Sequence, residues 1–143
     1  MGRILVLQEM HENVVYLRES LEPAGHELVI VNTIHSALTQ LCQEEFDMII
    51  CAVFLENESV FDFLKSCKQD INYRKIPFVF YCCKTSEFAR SVRDGLQIAA
   101  RTLGAERYVI MEAFDALVLK TQIEECLYGS CSFFAEAERT RVS

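Results

Sequence analysis

The sequence predicts an α/β domain in which a parallel sheet is covered by helices on both faces. Three observations predict it. Short continuous apolar runs such as Ile4–Leu7, Met48–Val53 and Phe78–Tyr81 have the pattern of strands buried on both sides. Segments with helical spacing of apolar residues lie between them. The two patterns alternate five times, with no internal repeat, low-complexity tract or Pro/Gly-rich linker. A length of 143 residues fits one such domain with a single core.

Strand 1 is predicted over Ile4–Leu7. Helix 1 covers roughly Glu12–Glu22, with Val14, Val15, Leu17 and Leu21 near one face and Pro23-Ala24-Gly25 stopping it. Strand 2 is Glu27–Val31. Asn32 and Thr33 are candidate caps for helix 2, Ile34–Glu44, whose inner face reads Ile34, Leu38, Leu41 and Cys42. Strand 3 is Met48–Val53. Helix 3 is Ser59–Gln69, with Val60, Phe63, Leu64 and Cys67 turned inward. Strand 4, Phe78–Tyr81, is entered through Pro77. Helical spacing then runs from about Ser86 to Leu103 through Phe88, Val92, Leu96, Ala99 and Leu103. Gly95 inside it costs about 1 kcal/mol relative to alanine, so a kink or a split is open, and Gly104 closes it. Strand 5 is Tyr108–Met111. Helix 5 starts near Asp115, which can cap it, and reaches Tyr128 before Gly129. The domain so defined is residues 1–128, and residues 129–143 form a C-terminal tail, with a short docking helix as one form it can take.

Composition excludes several classes. Hydrophobic residues make up 51% of the chain, too many for a disordered protein. No apolar run approaches the ~18–20 residues of a membrane span. The apolar part of Met1–Leu7 is too short for a secretory signal. The expectation is a soluble cytoplasmic protein without membrane contact. A net charge of −7 with no long basic run argues against nucleic acid, because displacing counterions takes a positive face. There are seven cysteines and no CxxC pair. Cys42, Cys51, Cys67, Cys82 and Cys126 fall in apolar-periodic segments and read as small buried hydrophobes in a reducing compartment. The vicinal pair Cys82-Cys83 leaves a strained disulfide or a soft-metal site open, although a zinc site wants more ligands at better spacing. His11, His26 and His35 form no HExxH-type pattern. His11 reads as a surface histidine at a helix start, with a partial ligand role beside Glu9 as the alternative.

Right-handed crossovers between five strand–helix units give a doubly wound, flavodoxin-like three-layer domain with strand order 2-1-3-4-5. Ligands of such folds bind outside the carboxyl ends of the strands. The chemistry is therefore expected from Gln8–Met10, Ala52–Asn57, Cys82–Lys84 and Met111–Ala113. The loop Gln8-Glu9-Met10-His11-Glu12-Asn13 has no glycine and two acids, which speaks against a flavin or another phosphate-bearing cofactor.

Four runs carry a resemblance: Arg3-Ile4-Leu5-Val6-Leu7, Phe46-Asp47-Met48-Ile49-Ile50, Ile76-Pro77-Phe78-Val79 and Gly104-Ala105-Glu106-Arg107-Tyr108-Val109. Each is weak alone. In this order and at these spacings they resemble bacterial or archaeal response-regulator receiver domains over about residues 3–128. The resemblance is specific for fold and says little about activity, which lives in the site. It implies a pocket with two acids holding a divalent cation, an aspartate phosphoacceptor, a Thr or Ser hydroxyl and a lysine.

This chain departs from that pocket at one of the two acids, at the phosphoacceptor, at the hydroxyl and at the lysine. Gln8 and Glu9 stand where the acids would be, Ala52 at the phosphoacceptor and Cys82 at the hydroxyl. Counting from Gly104 puts Met111 at the lysine position, and counting back from Phe114 puts Glu112 there. A methyl group cannot accept a phosphoryl group, a thiol is a weak donor, and neither Met111 nor Glu112 supplies a cation. Glu9, the remnant acid, is alone a poor magnesium site. The resemblance thus implies a degenerate, stand-alone receiver-like module of a two-component phosphorelay. It would be no enzyme, hold no metal or cofactor, and act by protein–protein interaction. No output domain is expected after it. Two alternatives stay open: a phosphorylatable receiver using Glu56 or Asp47 as a displaced acceptor, and a thiol-redox sensor using Cys82 and Cys83.

Tyr108 aligns with the family's switch aromatic, and reads otherwise as a half-buried aromatic at a strand end. Arg90, Arg93 and Arg101 on an extended helix 4 are either a solvated face or part of the helix 4–strand 5–helix 5 surface that receivers use for homodimers and partners. Phe133 and Phe134 in the tail want burial, each worth about 1.5–3 kcal/mol, on the domain itself or in a partner or second subunit.

Overall fold

The computed structural model describes residues 2–83 and 93–129. Its centre is a five-stranded parallel sheet: β1 (Arg3–Leu7), β2 (Glu27–Val31), β3 (Met48–Ala52), β4 (Phe78–Cys83) and β5 (Arg107–Met111), in the order β2-β1-β3-β4-β5. Between and after them lie α1 (His11–Leu21), α2 (Ile34–Gln43), α3 (Val60–Gln69), α4 (Arg93–Thr102) and α5 (Ala116–Leu127). The register sets Leu7 opposite Cys51, Ala52 opposite Tyr81, and Cys83 opposite Met111.

Strand alternation divides the core into two layers. Leu5, Leu7, Ile49, Cys51, Phe78 and Phe80 point to one side, where Ala37, Leu41, Val60, Phe63, Leu64 and Ala100 of α2, α3 and α4 close over them. Ile4, Val6, Met48, Ile50, Val79 and Tyr81 point to the other, under Leu17 and Leu21 of α1 and Leu119 and Ile123 of α5. Because every central strand is covered on both faces, its sequence reads as a continuous apolar run. Thr33, Ser59 and Asp115 cap α2, α3 and α5 by accepting from the amides of Ser36, Asp62 and Val118. Gly104 ends α4 at φ +102°, with the amide of Ala105 returning to the carbonyl of Ala100.

Several boundaries differ from expectation. β4 continues to Cys83 because β5 supplies partners for Cys82 and Cys83, while β3 stops at Ala52. Helix 1 turns into a 3-10 turn over Glu22–Ala24. The inner face of α2 is Ala37 and Leu41, with Ile34 packed against the same layer as expected and Leu38 and Cys42 exposed. The buried ridge runs i, i+4 through those two positions, and the next residue along lies about 100° away from each. Helix 3 faces inward as expected. The segment Ser86–Val92 and the tail from Ser130 lie outside the described residues. Cys42, Cys51, Cys67, Cys82 and Cys83 are free thiols, whereas Cys126 is disulfide-bonded, against the expectation that it is reduced.

Polar ties hold the amino-terminal edge of the sheet. Lys68 Nζ donates to the carbonyls of Arg74 and Ile76 and to the Glu106 carboxylate, which in turn accepts from the amide of Phe78. His26 Nδ1 accepts from the amide of Gly2 at 3.0 Å, so Nε2 carries the proton and donates to Glu124 at 2.8 Å.

Candidate functional site

The carboxyl ends of β1, β3, β4 and β5 bring Gln8, Glu9, Ala52, Cys82, Met111 and Glu112 to one edge of the sheet. Ala52 is the last residue of β3 and is 3% exposed, inside the layer that includes Leu55, Val60 and Leu64. Its environment is apolar, and its side chain is a methyl group.

Gln8 continues the β1 ladder, its amide donating to the carbonyl of Val31. Its buried side-chain oxygen accepts from the amide of Met10 at 3.1 Å, shaping the turn into α1. Glu9 is exposed, and its carboxylate accepts from the backbone N–H of Glu56 at 3.0 Å. The remnant acid therefore ties the end of β1 to the loop after β3. The same loop is held from its far side. Both carboxylate oxygens of Glu58 lie 3.2 Å from the amide of Ile34, the first residue of α2. A carboxylate there also meets the positive end of the helix dipole. Between the two ties, Asn57 has φ +65° and Leu55 forms an antiparallel bridge with Glu58.

Cys82 is half-buried, and burial first, then the neighbouring Cys83, pushes its thiol up from the ordinary value. That lowers the thiolate fraction on which redox reactivity depends. Met111 is buried against the α1/α5 layer, and Glu112 lies exposed just beyond it. Tyr108 is buried rather than half-buried, at 4% exposure, with its ring tilted against Phe80 at 5.8 Å. Of the displaced-acceptor candidates, Asp47 sits at the wrong end of β3, where its carboxylate accepts from the amide of Arg3 at 2.8 Å. Glu56 is exposed on the loop. His11 is exposed at the first position of α1. No group of three His, Cys, Asp or Glu side chains suited to a metal occurs among the described residues.

Arg101 is exposed on α4, as are Ile98 on α4 and Leu117 and Val118 on α5. Arg93 is the first residue of α4, and its side chain lies outside the description, as do Arg90, Phe133 and Phe134. Sequence reasoning missed Glu58 and the exposure of Phe54. The Glu58 contact spans 24 residues, and Phe54 continues an apolar run that otherwise buries.

This order of five parallel strands, with helices on both faces and the candidate residues at the carboxyl edge, is the fold of response-regulator receiver domains. The receiver domain of a signal transduction histidine kinase from Syntrophus aciditrophicus matches with a TM-score of 0.73 at 20% identity, covering 90% of this chain and 92% of that one. The chemotaxis response regulator CheY4 of Vibrio cholerae matches with a TM-score of 0.71 at 17% identity, covering 88% and 98%. Among curated proteins, the sensory/regulatory protein RpfC of Xanthomonas campestris pv. campestris is 27% identical over 117 residues, 80% of this chain. The chain spans 16% of the length of that relative. No protein-family model matches. Among the described residues, no helix is long and apolar enough to cross a membrane.

Proposed function

We propose that this chain is a degenerate receiver module of a two-component signalling network that acts by protein–protein contact and is not phosphorylated. The observation that carries the reading is Ala52: the end of β3 presents a buried methyl group where phosphotransfer needs a carboxylate. The neighbouring positions support it. Glu9 is engaged by the amide of Glu56, Cys82 offers only a weak donor, and neither Met111 nor Glu112 is a cation. With no phosphoryl group to draw Cys82 toward it, a protein partner rather than phosphorylation sets the state of the buried Tyr108. The exposed apolar residues Ile98, Leu117 and Val118 suit the α4–β5–α5 face to a homodimer or a hetero-partner. The net charge of −7 fits a protein partner in the cytoplasm better than nucleic acid.

Intact mass after incubation with a small-molecule phosphodonor and magnesium tests this reading, with a working receiver as positive control. The expected mass is unchanged. A gain of one phosphoryl group overturns the reading and directs mapping to Glu56 and Asp47.

A further inference from the structure

His26 is a buried titratable residue with no part in the site at the carboxyl edge of the sheet. Its side chain is 0% exposed, and it stands where three parts of the chain meet. Its own amide donates to the carbonyl of Leu21, the last residue of α1, at 3.2 Å. Its ring joins the residue before β1, through the Gly2 amide at 3.0 Å, to the last two turns of α5, through Glu124 at 2.8 Å. A Cβ at Gly2 would stand 2.8 Å from Leu127 Cδ2, so the chain before β1 lies directly against α5.

The two ring nitrogens have opposite roles. A backbone N–H is only a donor, so Nδ1 must be bare where it meets Gly2. An imidazolium carries a proton on both nitrogens and has no acceptor left. Protonation would set Nδ1–H against the Gly2 N–H, donor facing donor in a buried place, and that hydrogen bond is lost. The bond to Glu124 survives and becomes charge-assisted. One proton thus releases the ring from the start of β1 and keeps it on α5.

The charged groups of the surrounding elements are engaged with one another. On α5, Lys120 Nζ lies 4.0 Å from the other Glu124 oxygen, and the Tyr128 ring is 6.5 Å from the imidazole between centroids. On β1 and β2, Arg3 and Glu27 lie 3.7 Å apart, and Arg3 also pairs with Glu44. At the turn after α1, Glu22 pairs with Arg18. Of these groups, Glu124 is the one hydrogen-bonded to the ring.

We propose that His26 is a proton-operated latch between the start of β1 and α5, closed at Gly2 when the imidazole is neutral and open there when it is charged. The latch is independent of the pseudo-receiver reading, since Gly2, His26 and Glu124 all lie away from the carboxyl edge of the sheet.

The test is NMR on the full chain, 15N-labelled with Met1 in place, from about pH 8 to about pH 5, the range in which histidine side chains change charge. Long-range 1H–15N correlations of the His26 ring should show Nδ1 bare and Nε2 protonated at the upper end. On acidification both should become protonated, and the Gly2 amide should shift with the same midpoint. Protection of that amide against hydrogen exchange, corrected for intrinsic rates, should fall about tenfold across the step. His26→Gln keeps an acceptor and a donor without a titrating group, and should remove the step at Gly2. Replacing the exposed His11 and His35 by Gln should leave the step in place. The ring measurement needs no variant and decides the matter even where His26→Gln does not fold. A ring protonated at Nδ1 at the upper end, a ring that does not titrate, a Gly2 amide that ignores the ring's titration, or a Gly2 step that persists in His26→Gln overturns the latch.

Discussion

Arg107 Nη1 donates to Glu125 Oε1 at 2.6 Å, joining the first residue of β5 to the last turn of α5. The guanidinium side chain is 1% exposed and the carboxylate 27%. Removing one partner of a buried ion pair leaves a charge without its neutraliser, whereas replacing the cation by an apolar chain does not. Glu125→Ala should therefore lower unfolding free energy by about 2–4 kcal/mol, and Arg107→Met by less. Urea denaturation of the two variants checks the order. Equal losses would show that the pair contributes only packing.

Restoring the missing aspartate should not restore phosphotransfer. Ala52→Asp would place a carboxylate in an apolar, 3% exposed position, at a cost of about 2–4 kcal/mol. The variant would still have no lysine at Met111 or Glu112, and Glu9 would still be bound to the loop. Intact mass with phosphodonor and magnesium should stay unchanged. Stoichiometric labelling of this variant would mean that one side chain alone separates the protein from an active receiver.

The tie from Glu9 to Glu56 makes a local prediction. Glu9→Ala removes the acceptor and should speed hydrogen exchange at the Glu56 amide about tenfold, with little effect on amides of β3. Glu9→Gln keeps an acceptor and should fall between. Exchange measured by NMR that is the same in all three proteins would show that the bond does not hold the loop.

The sheet was legible in the sequence because strands covered on both faces must be apolar throughout, as Ile4–Leu7 and Met48–Ala52 are. Helix 3 was legible because Val60, Phe63, Leu64 and Cys67 repeat at helical spacing. Helix 2 was read correctly at Ile34 and Leu41 and misread at Leu38 and Cys42, because Ala37 carries little hydrophobic signal yet sits at the centre of the buried ridge. The candidate site was legible as a set of substitutions at strand ends. Its wiring was not. The Glu9–Glu56 and Glu58–Ile34 bonds join residues 47 and 24 apart in sequence, and a carboxylate bound to a backbone amide leaves no trace in residue type.

Thiol reactivity should follow burial rather than pairing in sequence. Cys42 is exposed, Cys51, Cys67 and Cys83 are buried, and Cys82 is half-buried with its thiol pushed up. In native protein at pH 8, alkylation followed by peptide mass mapping should find Cys42 modified well before Cys82, and Cys51 and Cys67 unmodified until unfolding. Cys82 reacting first would revive the redox-sensor alternative.

Burial also sets a limit at alkaline pH. It pushes Cys67 from an ordinary value of 9.0 up to about 12, and raises Cys51 in the same layer. Both thiols are neutral when folded at pH 7. Between about pH 9 and 12 the unfolded chain loses these protons and the folded chain keeps them. The folded state then binds more protons, so stability falls as pH rises through this window and is unaffected below it. Three pH units correspond to on the order of 4 kcal/mol for one fully buried group. Urea midpoints from pH 7 to 11 should stay level to about pH 8.5 and then decline. Cys67→Ala should start lower, by about 1 kcal/mol for the small cavity, and show a shallower alkaline slope. An identical slope in wild type and Cys67→Ala would assign the decline to other groups, with buried Tyr81, also raised by burial, the next to replace.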